Sequence, residues 1–323
     1  MKSSRIAVLA IAVLSLFYSS GSVARKKSPP SVEPPIEATA ANMTVVRDTA
    51  RELAKVHGVS RVLVVYDIDN TLLTSSTALG SDQWYVWQEA MLDSDDPERI
   101  TKVRKDLKCL LDAQELLYFT RPMKLTDETV IWSVDSLRSE GFTQWVVTSR
   151  GPEVSALTFR EFGRGGLSFS NFYGDRKTGP EDFQMTGRAG PVSLRMHDGV
   201  LFTSGFNKGE ALREVLRRTG RSGDFSAIVF ADDTPKHLPR MRDAFEKSGI
   251  DVRTFLYQAV KGAVDEFNSA GSPSKALAKE QWCKLVDDIP QFERSVSTAI
   301  LDLAHDDDDG THHSLSSCIA SCK

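Results

Sequence analysis

No apolar run in this 323-residue chain is long enough to cross a bilayer comfortably as a helix, which takes roughly 20 residues, so a membrane-anchoring helix is the weaker reading. Internal repeats are also missing, which sets aside solenoids and propellers. Positive charge is not in surplus: 40 Lys and Arg against 44 Asp and Glu leave a formal charge of -4. That balance offers no broad field to a nucleic-acid backbone or an anionic membrane, and no nucleic-acid partner is expected. There is no Gly-x-Ser-x-Gly elbow for a serine nucleophile, and Asp198, beside His197, is better used in the turn Asp198-Gly199. The four cysteines, Cys109, Cys283, Cys318 and Cys322, lack zinc-site spacing and stand away from the acidic motifs, which argues against a structural zinc or a catalytic thiol. Their even number fits one or two disulfides, with the pairing open.

The two ends follow a different logic from the middle. Lys2 and Arg5 precede the apolar stretch Ile6 to Phe17, and the small residues Ser22-Val23-Ala24 follow at a cleavage distance, so residues 1–24 read as a secretory signal. With no Cys next for lipidation, the mature protein is expected to be secreted or periplasmic without a stable membrane anchor. Residues 25–41, with Pro29-Pro30 and Pro34-Pro35, read as a flexible leader outside the fold. Residues 305–323 open with His305 and Asp306 to Asp309 and read as a solvated tail.

Between the ends, helical and strand periods alternate. A helix over Met43 to Gly58 is expected to bury Val45, Leu53 and Val56, and the run Val62-Leu63-Val64-Val65-Tyr66 reads as a strand covered on both faces. Residues 72–122 interrupt the alternation. There Ser81 caps a helix carrying Trp84, Trp87 and Met91, and Asp96-Pro97 starts a second with Ile100, Val103, Leu107, Leu110, Gln114 and Leu117. The pattern resumes with a helix over Thr126 to Glu140, a strand at Trp145-Val146-Val147 and a helix over Glu153 to Phe162. A hairpin then flanks Asp198-Gly199, before a helix opened by Lys208, a strand at Ala227 to Phe230, a helix over Pro235 to Lys247 and a strand at Val252 to Leu256. This βαβ order predicts an α/β fold with a doubly wound, mostly parallel sheet over 42–71 and 123–270. Weaker helices at Lys275 to Val286 and Gln291 to Leu303 predict an outer C-terminal extension over 271–304.

Three of the strands end in reactive groups: Asp67 and Asp69, then Thr148, then Asp232 with Asp233. The carboxyl ends of parallel strands line one crevice, so these residues are expected to meet there, with Lys208 reaching the same edge from its helix. Carboxylates hold a hard cation through oxygen, magnesium being the natural ion, and the cation, lysine and hydroxyl together offset charge on a transferring phosphoryl group. Lys177 lies in the same interval as Lys208, but in an irregular stretch between Gly174 and Gly179. Arg150 is left between a phosphate ligand and a partner for a surface acid.

In this order the residues resemble the four motifs of the haloacid dehalogenase superfamily, phosphatase branch, over Val62 to about Leu256, and more loosely an exported subgroup of it. The resemblance implies that Asp67 is a nucleophile forming an aspartyl-phosphate and Asp69 the acid/base. It makes Thr148 a ligand of the phosphoryl oxygens and Lys208 the clamp on nucleophile and phosphate, with magnesium served by Asp67, Asp232, Asp233 and the backbone carbonyl of Asp69. Thr71, Ser149 and Arg150 become substrate contacts, and residues 72–122 a helical cap from which Trp84 and Trp87 would face the substrate; ordinary packing of the cap's own core is the stronger reading of those aromatics. The expected activity is hydrolysis of a phosphorylated small molecule or phosphopeptide by an acid-phosphatase-type enzyme. The competing reading is a non-catalytic module that recognises a phosphorylated or protein partner through the same pocket.

Overall fold

In the computed structural model, residues 38–169, 181–296, 315–320 and 322 are described. The expected signal, Lys177 and most of the leader and tail lie outside them. Among the described residues no helix is long and apolar enough to cross a membrane.

The fold is α/β, a mostly parallel sheet flanked by helices. Its strands are β1 (Ala38–Ala40), β2 (Val62–Tyr66), β5 (Thr143–Thr148), β6 (Glu181–Gly187), β7 (Gly190–His197), β8 (Val200–Phe202), β9 (Ala227–Asp232) and β10 (Asp251–Tyr257), in the order β1-β10-β9-β2-β5-β8-β7-β6. The first six in that order run parallel, β7 pairs antiparallel with β8, and β6 pairs antiparallel with β7. The central strands β2 and β9 are buried along their whole length, as their unbroken apolar runs require. The hairpin at Asp198-Gly199 forms as expected, joining β7 to β8. One strand, β1, arises inside the segment read as leader: Ala38 to Ala40 pair with Phe255 to Tyr257, small residues that suit a sheet edge.

Helix α1 (Met43–His57) is capped by Asn42 and packs through Met43, Val46, Ala50 and Leu53. Val45 and Val56 point outward instead, because the buried stripe is set by the i, i+3, i+7 series from Met43. The helices α4 (Thr129–Ser139), α5 (Ser155–Arg164), α6 (Lys208–Arg218) and α7 (His237–Phe245) occupy the expected places. Gly209 lets α6 and α7 approach, since a Cβ there would stand 2.5 Å from the Arg240 carbonyl.

The inserted segment is a lobe with a core of its own. A two-stranded ribbon of β3 (Leu73–Ser75) and β4 (Met123–Leu125) leads into and out of α2 (Asp82–Met91) and α3 (Leu107–Thr120). Helix α3 begins at Leu107, capped by Asp106, and not at Asp96-Pro97. The stretch before it is held as irregular chain by the Gln88 side chain, which binds the Glu98 carbonyl and the Ile100 amide. Two short helices bury too little surface by themselves, and the lobe's core is completed from the C-terminus. Phe267 of α8 (Lys261–Asn268), Ala278 and Trp282 of α9 (Pro273–Val296) and Ile319 pack with Trp84, Leu110 and Leu117.

The segment read as a solvated tail is fastened at its described end. Cys318, in α10 (Leu315–Cys318), is bonded to Cys109 of α3, and Cys322 to Cys283 of α9. Ile319 also bridges to Thr101, and the Cys318 carbonyl accepts from the Lys102 amide at 2.8 Å.

Candidate active site

The crevice forms where β2 stops. The Asp67 amide donates to the Ala231 carbonyl at 2.9 Å, extending the ladder by one residue, and then the Ile68 carbonyl accepts from the amides of Thr71, Leu72 and Leu73. This tight reversal needs one left-handed residue, supplied by Asn70 at φ 57°, a conformation Asn tolerates. Thr71 is fully buried: its hydroxyl accepts from the Asp233 amide at 3.1 Å, and its carbonyl accepts from the Thr126 hydroxyl at 2.7 Å. The side chain expected to touch substrate instead locks two loops of the site together.

Lys208 opens α6, where Asn207 caps the helix by accepting from the amides of Gly209 and Glu210. Its ammonium is buried and bridges Asp67 Oδ1 and Asp232 Oδ2, each at 2.7 Å. Asp232 is fully buried and also accepts from His237 Nδ1, 2.9 Å from Oδ2 and 3.0 Å from Oδ1. Asp67, Asp232 and Asp233 each bring a carboxylate oxygen within 4.8 Å of the others.

Thr148 ends β5, two residues beyond Val146, which pairs with Tyr66, so it stands level with the pentapeptide. Its hydroxyl accepts from the Arg150 amide at 3.2 Å; Ser149 between them is exposed. Arg150 does not meet a surface acid. It is buried, and its Nε and Nη2 donate to the two carboxylate oxygens of Asp69, both at 2.8 Å. Nη1 donates to the Thr158 hydroxyl at 2.9 Å, and the guanidinium lies over the Tyr118 ring, 4.2 Å from its centroid.

The electrostatics follow from burial. Desolvation pushes the Asp67 carboxyl up to about 8 against the pull of Lys208, with Asp232 and Asp69 adding to the rise. Burial and then the neighbouring Asp82, Asp232 and Asp67 hold Asp233 well above the usual carboxylate range. Burial acts to raise Asp232 too, but Lys208 and His237 outweigh it and hold its pKa below the ordinary value. Desolvation keeps His237 on the neutral side, so its Nδ1 carries a proton toward the ionised Asp232. The set is over-supplied with acid: Asp67, Asp69, Asp82, Asp232 and Asp233 face the two cations Lys208 and Arg150. Oxygen donors with surplus negative charge fit a hard divalent cation.

The family model described as protein of unknown function (DUF2608) matches residues 42–288. The chain belongs to this family. The DUF2608 span takes in every residue of the cluster from Asp67 to His237. No curated protein and no solved structure matches the chain.

Three residues of this DUF2608 site escaped the sequence reading. His237 is the fifth residue after Asp232 and falls in the first turn of α7, and its signal was a histidine close behind an acidic strand end. Asp82 follows the cap Ser81, where an acid is explained by the helix start alone. Tyr118 lies in an apolar stripe that gave no hint of the guanidinium it covers. Conversely, Trp84 and Trp87 do not turn toward the cluster. Trp84 packs on Trp282 with ring centroids 5.7 Å apart, and Trp87 meets Phe267 edge-on at 6.0 Å.

Proposed function

We propose that this protein is an exported, magnesium-dependent phosphomonoester hydrolase of the haloacid dehalogenase type, working through an aspartyl-phosphate on Asp67, with the inserted lobe as its cap. The observation that carries the reading is the ammonium of Lys208 shared at 2.7 Å between Asp67 and Asp232, within a carboxylate cluster at the carboxyl end of a parallel sheet. A structural ion pair has no need of the third carboxylate, Asp233, held above the usual range beside it.

Asp67, Asp232 and Asp233 are the side chains that would hold magnesium. Bound there, the cation would keep Asp67 and Asp233 ionised and withdraw charge from the phosphoryl oxygens. Lys208 leaves one oxygen of Asp67 without an ion pair, and that oxygen attacks phosphorus as the bond to the leaving alcohol breaks. Asp69 delivers the proton to the departing oxygen and later takes one from the water that cleaves the acyl phosphate. His237 and Lys208 fix Asp232 so that the far wall of the site does not move during either step. Thr148, at the end of β5, donates its hydroxyl to a phosphoryl oxygen in this mechanism.

A second reading is favoured by one feature: Arg150 occupies both oxygens of the intended acid/base. In a non-catalytic module that pair stays closed, and the pocket only recognises a phosphorylated or protein partner. Phosphate release from an aryl phosphate by the mature protein separates the two. The hydrolase reading expects release that depends on magnesium and is lost in Asp69→Asn for alkyl esters. Absence of release from a broad panel of phosphomonoesters with magnesium present supports the module.

A further inference from the structure

The strand end that carries Thr148 is held by a turn that takes no part in the chemistry above. Residues Thr203 to Phe206 follow β8, and the Phe206 amide closes the turn by donating to the Thr203 carbonyl at 2.8 Å. Its two central residues, Ser204 at φ 48° and Gly205 at φ 74°, are both left-handed, as in a type I′ turn. Glycine takes that conformation freely, whereas serine takes it against its own Cβ. The Ser204 hydroxyl donates to the Ser193 carbonyl of β7 at 2.7 Å, a contact glycine could not make, and this anchors the turn to the neighbouring hairpin.

The turn directs its donors at three successive carbonyls of the loop after β5. The Thr148 carbonyl accepts twice from Thr203, from the amide at 3.0 Å and from the hydroxyl at 2.7 Å. The Ser149 carbonyl accepts from the Gly205 amide at 2.9 Å, and the Arg150 carbonyl from the Ser204 amide at 3.1 Å. Continuing the ladder between β5 and β8 needs the Thr203 amide alone, so the hydroxyl is a second donor to an oxygen already paired. Thr203 has no exposed surface and Thr148 has 1%, so water does not replace either bond. A carbonyl with both acceptor positions filled holds its peptide plane still, which fixes the backbone from which the Thr148 side chain projects. The Thr148 hydroxyl oxygen accepts from the Arg150 amide at 3.2 Å, which leaves its proton for a ligand.

We infer that Thr203 is a positioning residue for the phosphate-binding site: its hydroxyl, bonded to the Thr148 carbonyl, holds the Thr148 hydroxyl in the orientation that meets a phosphoryl oxygen. This rests on the site proposed above in either of its forms, since hydrolase and module both bind a phosphoryl group there.

The first test is made on the full chain without ligand. NMR couplings from the Thr148 γ-methyl carbon to its backbone nitrogen and carbonyl carbon report the side-chain rotamer. One rotamer is expected in the unaltered protein and in Thr203→Ser, and a mixture in Thr203→Val, which removes the hydroxyl at nearly constant shape. With magnesium present, calorimetric binding of inorganic phosphate is expected to weaken by about tenfold in Thr203→Val and to recover in Thr203→Ser. Magnesium affinity stays within about twofold, because its carboxylates are held from Lys208, His237 and Thr71. A merely structural role would lower the melting temperature of Thr203→Val and leave rotamer and phosphate affinity as they were. A Thr148 that keeps one rotamer in Thr203→Val overturns the inference, as does an unchanged phosphate affinity there. Should that variant not fold, Ser204→Gly, which keeps the left-handed turn and removes its anchor on Ser193, is read in the same way. If the unaltered chain binds no phosphate, the phosphate-site reading fails alone, and the rotamer comparison still decides whether Thr203 holds Thr148.

Discussion

Arg150 grips both carboxylate oxygens of Asp69 while its flat face rests on Tyr118, so one guanidinium ties the loop after β2 to the inserted lobe. A two-point fork of this kind fixes the rotation of a carboxylate as well as its position. In the proposed reaction the fork must loosen for Asp69 to reach a leaving oxygen, and a phosphoryl group is the ligand that could draw the guanidinium away.

Truncating the fork leaves a partly buried carboxylate without its cation. Arg150→Ala is expected to cost about 2–4 kcal/mol in chemical denaturation, below the loss for a fully buried pair because Asp69 retains some exposure. Arg150→Lys recovers less than half, since an ammonium cannot form the two-point contact or lie flat on Tyr118. Adding Asp69→Asn to Arg150→Ala recovers part of the loss, which a double-mutant cycle measures.

The raised carboxyls make a prediction about pH. Asp67 titrates near 8 in the fold against 3.8 as a free group, so the folded protein holds that proton where the unfolded chain has lost it. Stability of the metal-free protein therefore falls as pH rises through this window. In the proposed reading magnesium binds the deprotonated set, so it is expected to raise the melting temperature at about pH 8 while adding little at about pH 5. Melting curves across pH, with and without magnesium, check both signs.

Asp82 obeys the same rule by itself. Burial and Asp69 push its carboxyl up to about 7, so the ionised form is a cost in the fold above that pH. Asp82→Asn removes the cost, and the metal-free variant should melt higher by about 2–4 °C at about pH 8. At about pH 4 the gain disappears, because the carboxyl is then largely protonated in the fold.

The C-terminal strap should be separable from the sheet. Cys318→Ser frees α10 from α3 and uncovers the lobe core beneath Ile319. Limited proteolysis is expected to cut first between α2 and α3, where the chain is irregular, while the sheet fragment survives. Simultaneous cutting throughout the chain would show that lobe and core unfold as one unit.

The parallel sheet was legible because strands buried on both faces leave unbroken apolar runs, as Val62 to Tyr66 and Ala227 to Phe230 do. The cluster of Asp67, Lys208, Asp232 and Asp233 was legible because the ends of parallel strands must meet. Contacts that depend on side-chain direction were not. Nothing in the spacing of Thr71 says that its hydroxyl faces Asp233, or that Arg150 turns inward to Asp69. The strand at Ala38–Ala40 was hidden because three small residues carry no periodicity, and the lobe's true core because a third of its buried residues, Phe267, Ala278, Trp282 and Ile319, come from far along the chain.

The central claim is that Asp67 is the atom donor to phosphorus, and the most direct measurement is peptide mapping of the protein quenched in acid during turnover. The account predicts a phosphate adduct on the peptide carrying Asp67-Ile68-Asp69, assigned to Asp67 after borohydride reduction and absent from Asp67→Asn. An adduct on another residue, or turnover that continues undiminished in Asp67→Asn, would contradict it.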